Sequence, residues 1–138
     1  MTLDAAIEQL RDLNEEVPNP LRLPTAEEVT AVEQELGVTF HPDYRRFLLE
    51  ASDVVFGALE PATITDPDAH THLPAICEEA WDSEVVPREL IPICEDNGDY
   101  YCLGPRGEIR FVSHNGPTDE KWRNLASWIE EVWIGENE

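Results

Sequence analysis

The chain has 138 residues, a hydrophobic fraction of 41% and a mean hydropathy of −0.40, which bounds it to one domain (1–138) able to bury roughly two-thirds of its unfolded surface. Thirty aspartates and glutamates face nine lysines and arginines, a formal net charge of −21; such a surface repels nucleic acid and anionic membrane and draws basic proteins by long-range steering. No run approaches the roughly eighteen apolar residues of a membrane span, and the acidic N-terminal stretch lacks the parts of a signal peptide, so the cytoplasm is the expected compartment.

In chain order, Leu3, Ala6, Ile7, Leu10 and Leu13 recur at spacings of three and four, predicting an amphipathic helix over Thr2–Glu16 that Pro18-Asn19-Pro20 ends. A second helix carries Thr25 and Glu28 as a capping box, Val29, Val32 and Leu36 as its apolar stripe and Gly37 as its stop. The third begins near Pro42 and buries Tyr44, Phe47, Leu48 and Ala51. Val54 to Leu59 reads as a strand interrupted by Gly57, and Glu60 to Thr71 as turns. Leu73, Ile76, Cys77, Ala80 and Trp81 mark a fourth helix, with Pro74 tolerable only in its first turn.

From Leu90 to Asn115 three short apolar runs are separated by Asp96-Asn97-Gly98-Asp99 and Gly104-Pro105-Arg106-Gly107, two turn signals that predict an antiparallel meander. With an even number of residues in both loops, one face collects Ile91, Ile93, Tyr100, Cys102, Ile109 and Phe111 and is the core face. The other collects Leu90, Pro92, Cys94, Tyr101, Leu103, Glu108, Arg110 and Val112. After Gly116-Pro117 a last helix opens at Thr118 or Asp119 and buries Trp122, Leu125, Ala126, Ile129, Val132 and Trp133. Lys121 and Arg123 would sit at its positive end and Glu130, Glu131, Glu136 and Glu138 at its negative end, all against the macrodipole. Trp128 projects about 100° from the stripe, either as an interface anchor beside carboxylates or as cover for the edge of the core. The fold class is therefore α+β: a twisted, mainly antiparallel sheet with a central three-strand meander, flanked by helices.

Sites of chemistry are sparse. Cys77, Cys94 and Cys102 show no metal or redox spacing and read as buried free thiols, with no disulfide between Cys94 and Cys102. His70-Thr71-His72 near Asp66 and Asp68 carries metal-ligand types, but lacks a third distant ligand and reads as a solvated capping loop. His114 has no serine or cysteine motif to activate and reads as a histidine satisfied in a turn. Glu95, Asp96, Asn97 and Asp99 miss the calcium-loop pattern and form a polar hairpin tip beside Tyr101. No catalytic residue, metal site or cofactor is expected.

The run Glu33-x-x-Leu36-Gly37-Val38-x-Phe40-x-Pro42-x-Tyr44-Arg45-x-Phe47-Leu48 continues at Pro92-Ile93, Glu95-Asp96-x-Gly98-Asp99-Tyr100-Tyr101-Cys102-Leu103, Gly107-x-Ile109-x-Phe111, His114, Trp122 and Leu125-Ala126-Ser127-Trp128. This ordered set, spanning about Leu23 to Trp133, resembles the SUKH superfamily of fungal Smi/Knr-type cell-wall regulators and bacterial immunity proteins. A Gly-Gly turn common in that family after the third helix is replaced here by Ala51-Ser52-Asp53. The resemblance implies a non-enzymatic α+β domain, in bacteria most often an immunity protein that binds and blocks a toxin; the alternative is a scaffold or regulatory adaptor. Net charge independently favours a basic toxin domain, such as a nuclease, as the protein partner. The residues expected to meet it are Asp96, Asp99, Tyr101 and Glu108 around the meander, with Trp128 and Glu131 on the last helix. Sequence leaves the oligomeric state open.

Overall fold

The computed structural model describes residues 2–137, so Glu138 lies outside the described residues. Its helices are α1 (Leu3–Leu13), α2 (Ala26–Leu36), α3 (Pro42–Ala51), α4 (Leu73–Asp82) and α5 (Leu125–Trp128), the last continuing directly as a π-helical stretch, Ile129–Ile134. Between α4 and α5 lies a four-stranded antiparallel sheet in sequential order: β1 (Ile91–Asp96), β2 (Asp99–Leu103), β3 (Ile109–Ser113) and β4 (Gly116–Trp122). The α+β class holds, with one strand more than the meander predicted.

The first four helices follow their sequence signals. Thr25 and Glu28 form the reciprocal capping box of α2, and Gly37 closes it in the left-handed conformation. Glu33 then ties α2 to α3: its carboxylate accepts from the Phe40 amide at 2.7 Å and from Arg45 at 2.8 Å, while Arg45 also reaches Thr30 and the Ala26 carbonyl. Pro42 and Pro74 each fall in the first turn of a helix, where no intrahelical donor is lost.

Three expectations are corrected. Val54–Leu59 is not a strand: no neighbouring strand offers partners, and its amides turn to side chains, Val55 to Asn14, Gly57 to Glu15 and Ala58 to Asn137. The last helix does not begin at Thr118 or Asp119; Gly116–Trp122 pairs with β3 instead, and Asn124 caps α5 through the Ser127 amide at 2.8 Å. Lys121, opposite Arg110 on β3, is therefore a strand residue, Arg123 precedes the cap, and neither opposes a helix dipole. The third correction is the face assignment of the meander.

Cross-strand partners share a face of a sheet. The β1–β2 turn has the expected two residues, with Asn97 and Gly98 both at positive φ as a type I′ hairpin requires. The β2–β3 loop instead has five residues, Gly104 to Glu108, an odd number, and Leu103 pairs with Ile109. That one residue exchanges the faces. Tyr101, Leu103, Ile109, Phe111 and Trp122 now lie together, with Tyr100, Cys102, Arg110 and Val112 opposite. A bulge between Pro92 and Cys94 shifts β1 as well, setting Ile91 beside Leu103 and Cys94 beside Tyr101. Both faces are needed because both are covered. Cys77 of α4 donates to the Pro92 carbonyl on one side, and Trp128 of α5 packs on Tyr101 from the other, ring centres 5.3 Å apart.

A chain of aromatic contacts crosses the core. Phe40 meets Tyr44, Tyr44 meets Phe47, Phe47 meets Trp133, Trp133 meets Trp128 and Trp128 meets Tyr101, with ring centres 5.2 to 6.4 Å apart. It begins at the α2–α3 link and ends on the outward side of β2.

Candidate protein-binding surface

The predicted contact residues do not form one patch. Asp96 and Asp99 are directly paired at the β1–β2 tip, whereas Glu108 sits in the loop at the opposite end of β2. Glu131 is exposed on the π-helical stretch. Trp128 is completely buried, which takes it off any contact surface: it covers the core, the second of its two readings.

Glu108 has a structural role. Its carboxylate accepts from the Arg106 amide at 2.9 Å and from Arg110 at 2.6 Å, folded back over Gly104, where any Cβ would run into it. Partial burial pushes its carboxyl up, but the hydrogen bonds from Arg110 and the loop amides outweigh that and hold it below its ordinary value. Asp99 is also committed, accepting from the His114 amide at 2.9 Å and from its ring Nδ1 at 2.8 Å. The amide bond and then the ring bond lower the Asp99 carboxyl. His114 is thus held in the β3–β4 turn as the sequence indicated. His70 similarly meets Glu60 at 2.7 Å. No group of three or more metal-ligating side chains occurs among the described residues. The three cysteines are free and buried, and burial drives all their thiols upward, Cys77 to about 12; thiols so protonated are poor nucleophiles at neutral pH.

Tyr101 has neighbours other than those expected. Half-buried, it touches Phe111 and Trp122 with ring centres 5.0 and 5.8 Å away, and both neighbours are themselves only partly covered. The residues between Pro117 and Lys121 bulge out opposite the single residue Phe111. The bulge is fixed by Thr118, whose hydroxyl donates to the Phe111 carbonyl at 2.7 Å and accepts from the Glu120 amide at 3.1 Å. Burial first, then the charges of Glu136, Asp96 and Glu120 with Cys94, push the Tyr101 phenol up to about 12. A partly open aromatic surface rimmed by carboxylates results. Phe111, Trp122, Glu120 and Glu136 were absent from the sequence-based contact set; Asn115-Gly116, a turn signal, was the available clue to β4.

Five of the eight arginines are held in intramolecular ion pairs at the surface. Arg11 pairs with Asp53, Arg22 with Glu28, Arg45 with Glu33, Arg46 with Asp4 and Glu50, and Arg110 with Glu108, while Arg88 lies over the Trp81 ring at 4.0 Å. Each pair neutralises a carboxylate together with its arginine, so the charge left unpaired is mostly carboxylate. A concavity of about 680 Å³ runs between residues 81–88 and the β3–β4 turn and is lined by Trp81, Val86, Arg88, His114 and Pro117. No helix is long and apolar enough to cross a membrane among the described residues.

Comparison with known proteins agrees with this architecture. The SUKH family model described as SMI1-KNR4 cell-wall matches residues 3–134. A crystal structure of a protein from Pseudomonas syringae pv. tomato is 45% identical, superposes with a TM-score of 0.91, and the match covers 96% of this chain and 98% of that one. No curated protein matches the chain.

Proposed function

The chain belongs to the SMI1-KNR4 cell-wall family of the SUKH group, and from that premise we propose that it is a non-enzymatic, cytoplasmic immunity-type protein that neutralises a basic toxin domain by stoichiometric binding. The observation that carries the reading is the placement of charge. Most arginines are already held in intramolecular surface ion pairs, so the unpaired charge of a molecule of net charge −21 is mostly carboxylate. Enzymes that cleave nucleic acid hold phosphates with lysine and arginine, and a carboxylate-rich protein competes for those groups while approaching fast. Potentially reactive side chains are used otherwise: His114 and His70 against carboxylates, the thiols within the core.

Co-expression with a toxin domain encoded beside the gene tests the proposal. Protection of the host cells and a one-to-one complex on a sizing column are the expected results. Lack of protection together with lack of a complex refutes it. Association slows steeply with added salt if charge steers the encounter, and salt-independent rates would remove steering from the account.

A further inference from the structure

The β1–β2 tip with Asp96 and the β4 bulge with Glu120 flank Tyr101 and its neighbour Phe111, and the charge of Glu136, in the turn after the π-helical stretch, acts on the Tyr101 phenol. Asp96 shares the face of Tyr101, because Asp96 pairs with Asp99 and Cys94 pairs with Tyr101. Among the described residues none of these three carboxylates is held in an ion pair, unlike Asp53, Glu28, Glu33, Glu50 and Glu108. Beside them Tyr101, Phe111 and Trp122 present touching, half-open rings.

We infer that this aromatic face, with its rim of Asp96, Glu120 and Glu136, is the docking surface for an arginine side chain projecting from a basic partner protein. The inference rests on the binding role proposed above and names where and through what chemistry that binding occurs. A guanidinium is flat and weakly hydrated, so it lies on an aromatic face while its edge donors reach carboxylates in the same plane. An ammonium satisfies the carboxylates but gains less from the rings. The bulge is pinned at both ends of Thr118, so Glu120 is presented by a fixed backbone and loses less freedom on binding. A second copy of this chain does not fit the surface, because two molecules of charge −21 repel and each would bring carboxylates to carboxylates.

The binding measurement needs no identified toxin. The full chain, isotopically labelled, is titrated with an arginine peptide and with a lysine peptide of equal length, and backbone and indole NMR shifts are followed. Perturbations should centre on residues 96, 101, 111, 118–122 and 136, with arginine preferred about threefold. The D96N/E120Q/E136Q variant should bind the arginine peptide about tenfold more weakly, three exposed charge pairs being lost. The charge-matched E8Q/D12N/E35Q variant, altered on exposed positions of α1 and α2, should change less than about twofold. F111L keeps apolar bulk without the ring and should reduce the preference for arginine over lysine. Shifts spread evenly over the acidic surface, equal losses in both triple variants, or no arginine preference would overturn the assignment. If wild type protects cells and D96N/E120Q/E136Q protects them equally well, this surface is wrong and the immunity reading survives. If the mapping succeeds but wild type gives no protection, the surface stands and the immunity reading fails.

Discussion

Trp128 and Trp133 are neighbours on the same helical stretch, both essentially without exposure, yet substitution by phenylalanine should affect them very differently. The Trp133 indole donates to the Phe56 carbonyl at 3.0 Å, fastening the irregular Val54–Leu59 segment to the core. In Trp133→Phe the hydrogen bond is lost at about 1 kcal/mol, and stranding the Phe56 carbonyl adds about 1 kcal/mol. The void left by the smaller ring costs, at ~24 cal/mol per Å³, about 1 kcal/mol more. The sum is a loss of about 3 kcal/mol. The Trp128 Nε1 is sealed from solvent and has no acceptor among the described residues. In Trp128→Phe the same void is opened, but removal of an orphaned donor returns about 1 kcal/mol or more, leaving a net change near zero. Urea unfolding followed by far-ultraviolet circular dichroism reads both, since it does not depend on the indole being replaced. Equal losses in the two variants, or a larger loss in Trp128→Phe, would refute the reasoning.

Glu33→Ala leaves the Phe40 amide without its acceptor and Arg45 without its carboxylate, so it should destabilise by about 2–3 kcal/mol in urea unfolding; a change within about 0.5 kcal/mol, the ordinary surface range, would deny it a structural role. The Glu28 carboxyl is lowered from 4.5 to about 2, first by the Arg22 hydrogen bond and then by the Thr25 amide. A lowered folded-state value means the contribution is fully present above about pH 4.5 and fades as pH falls towards 2. Wild type and Glu28→Gln should therefore differ in thermal midpoint near neutrality and converge in acid, and a gap that stays constant would contradict the pairing. All three thiols should resist a thiol-specific disulfide reagent in the native protein and react once it is unfolded, because burial keeps them protonated; rapid native reaction of any one would refute its burial.

Where local physics decides the structure, the sequence was a sufficient guide. The Thr25–Glu28 box, the Gly37 stop and Pro42 in a first turn each satisfy backbone groups within a few residues, and α2 and α3 appear as read. The errors fall where a distant partner decides. Thr118, Asp119 and Trp122 have helical spacing to Leu125 and Ala126, but β3 offers open hydrogen bonds, and Ile109 takes Trp122 as its cross-strand neighbour. Val54 to Leu59 has strand-like composition but no strand to pair with. The meander was placed correctly while its faces were exchanged, since a loop of five in place of four leaves each strand unaltered and moves every side chain.

The same reasoning explains why the proposed contact residues were only partly legible. Asp96 and Tyr101 could be found because they flank one hairpin and a local turn sets their relation. Glu120 reaches Tyr101 only after three facts are combined: Gly116–Trp122 is a strand, its bulge opposes Phe111, and the odd β2–β3 loop turns Phe111 and Tyr101 to the same side. Glu136 needs one more, the wider winding after Trp128, in which the Gly135 amide bonds the Glu130 carbonyl five residues back at 2.9 Å. A π-helical turn advances the chain differently from an α-turn, so a projection of the last helix at 100° per residue misplaces whatever follows it. That projection gave no reason to bring Glu136 towards the sheet, whereas Trp128, which precedes the wider winding, is enclosed because Tyr101 and Trp133 pack on it. Net charge carries no information about place; register, bulge and helical winding together decide which carboxylates stand beside the half-open rings.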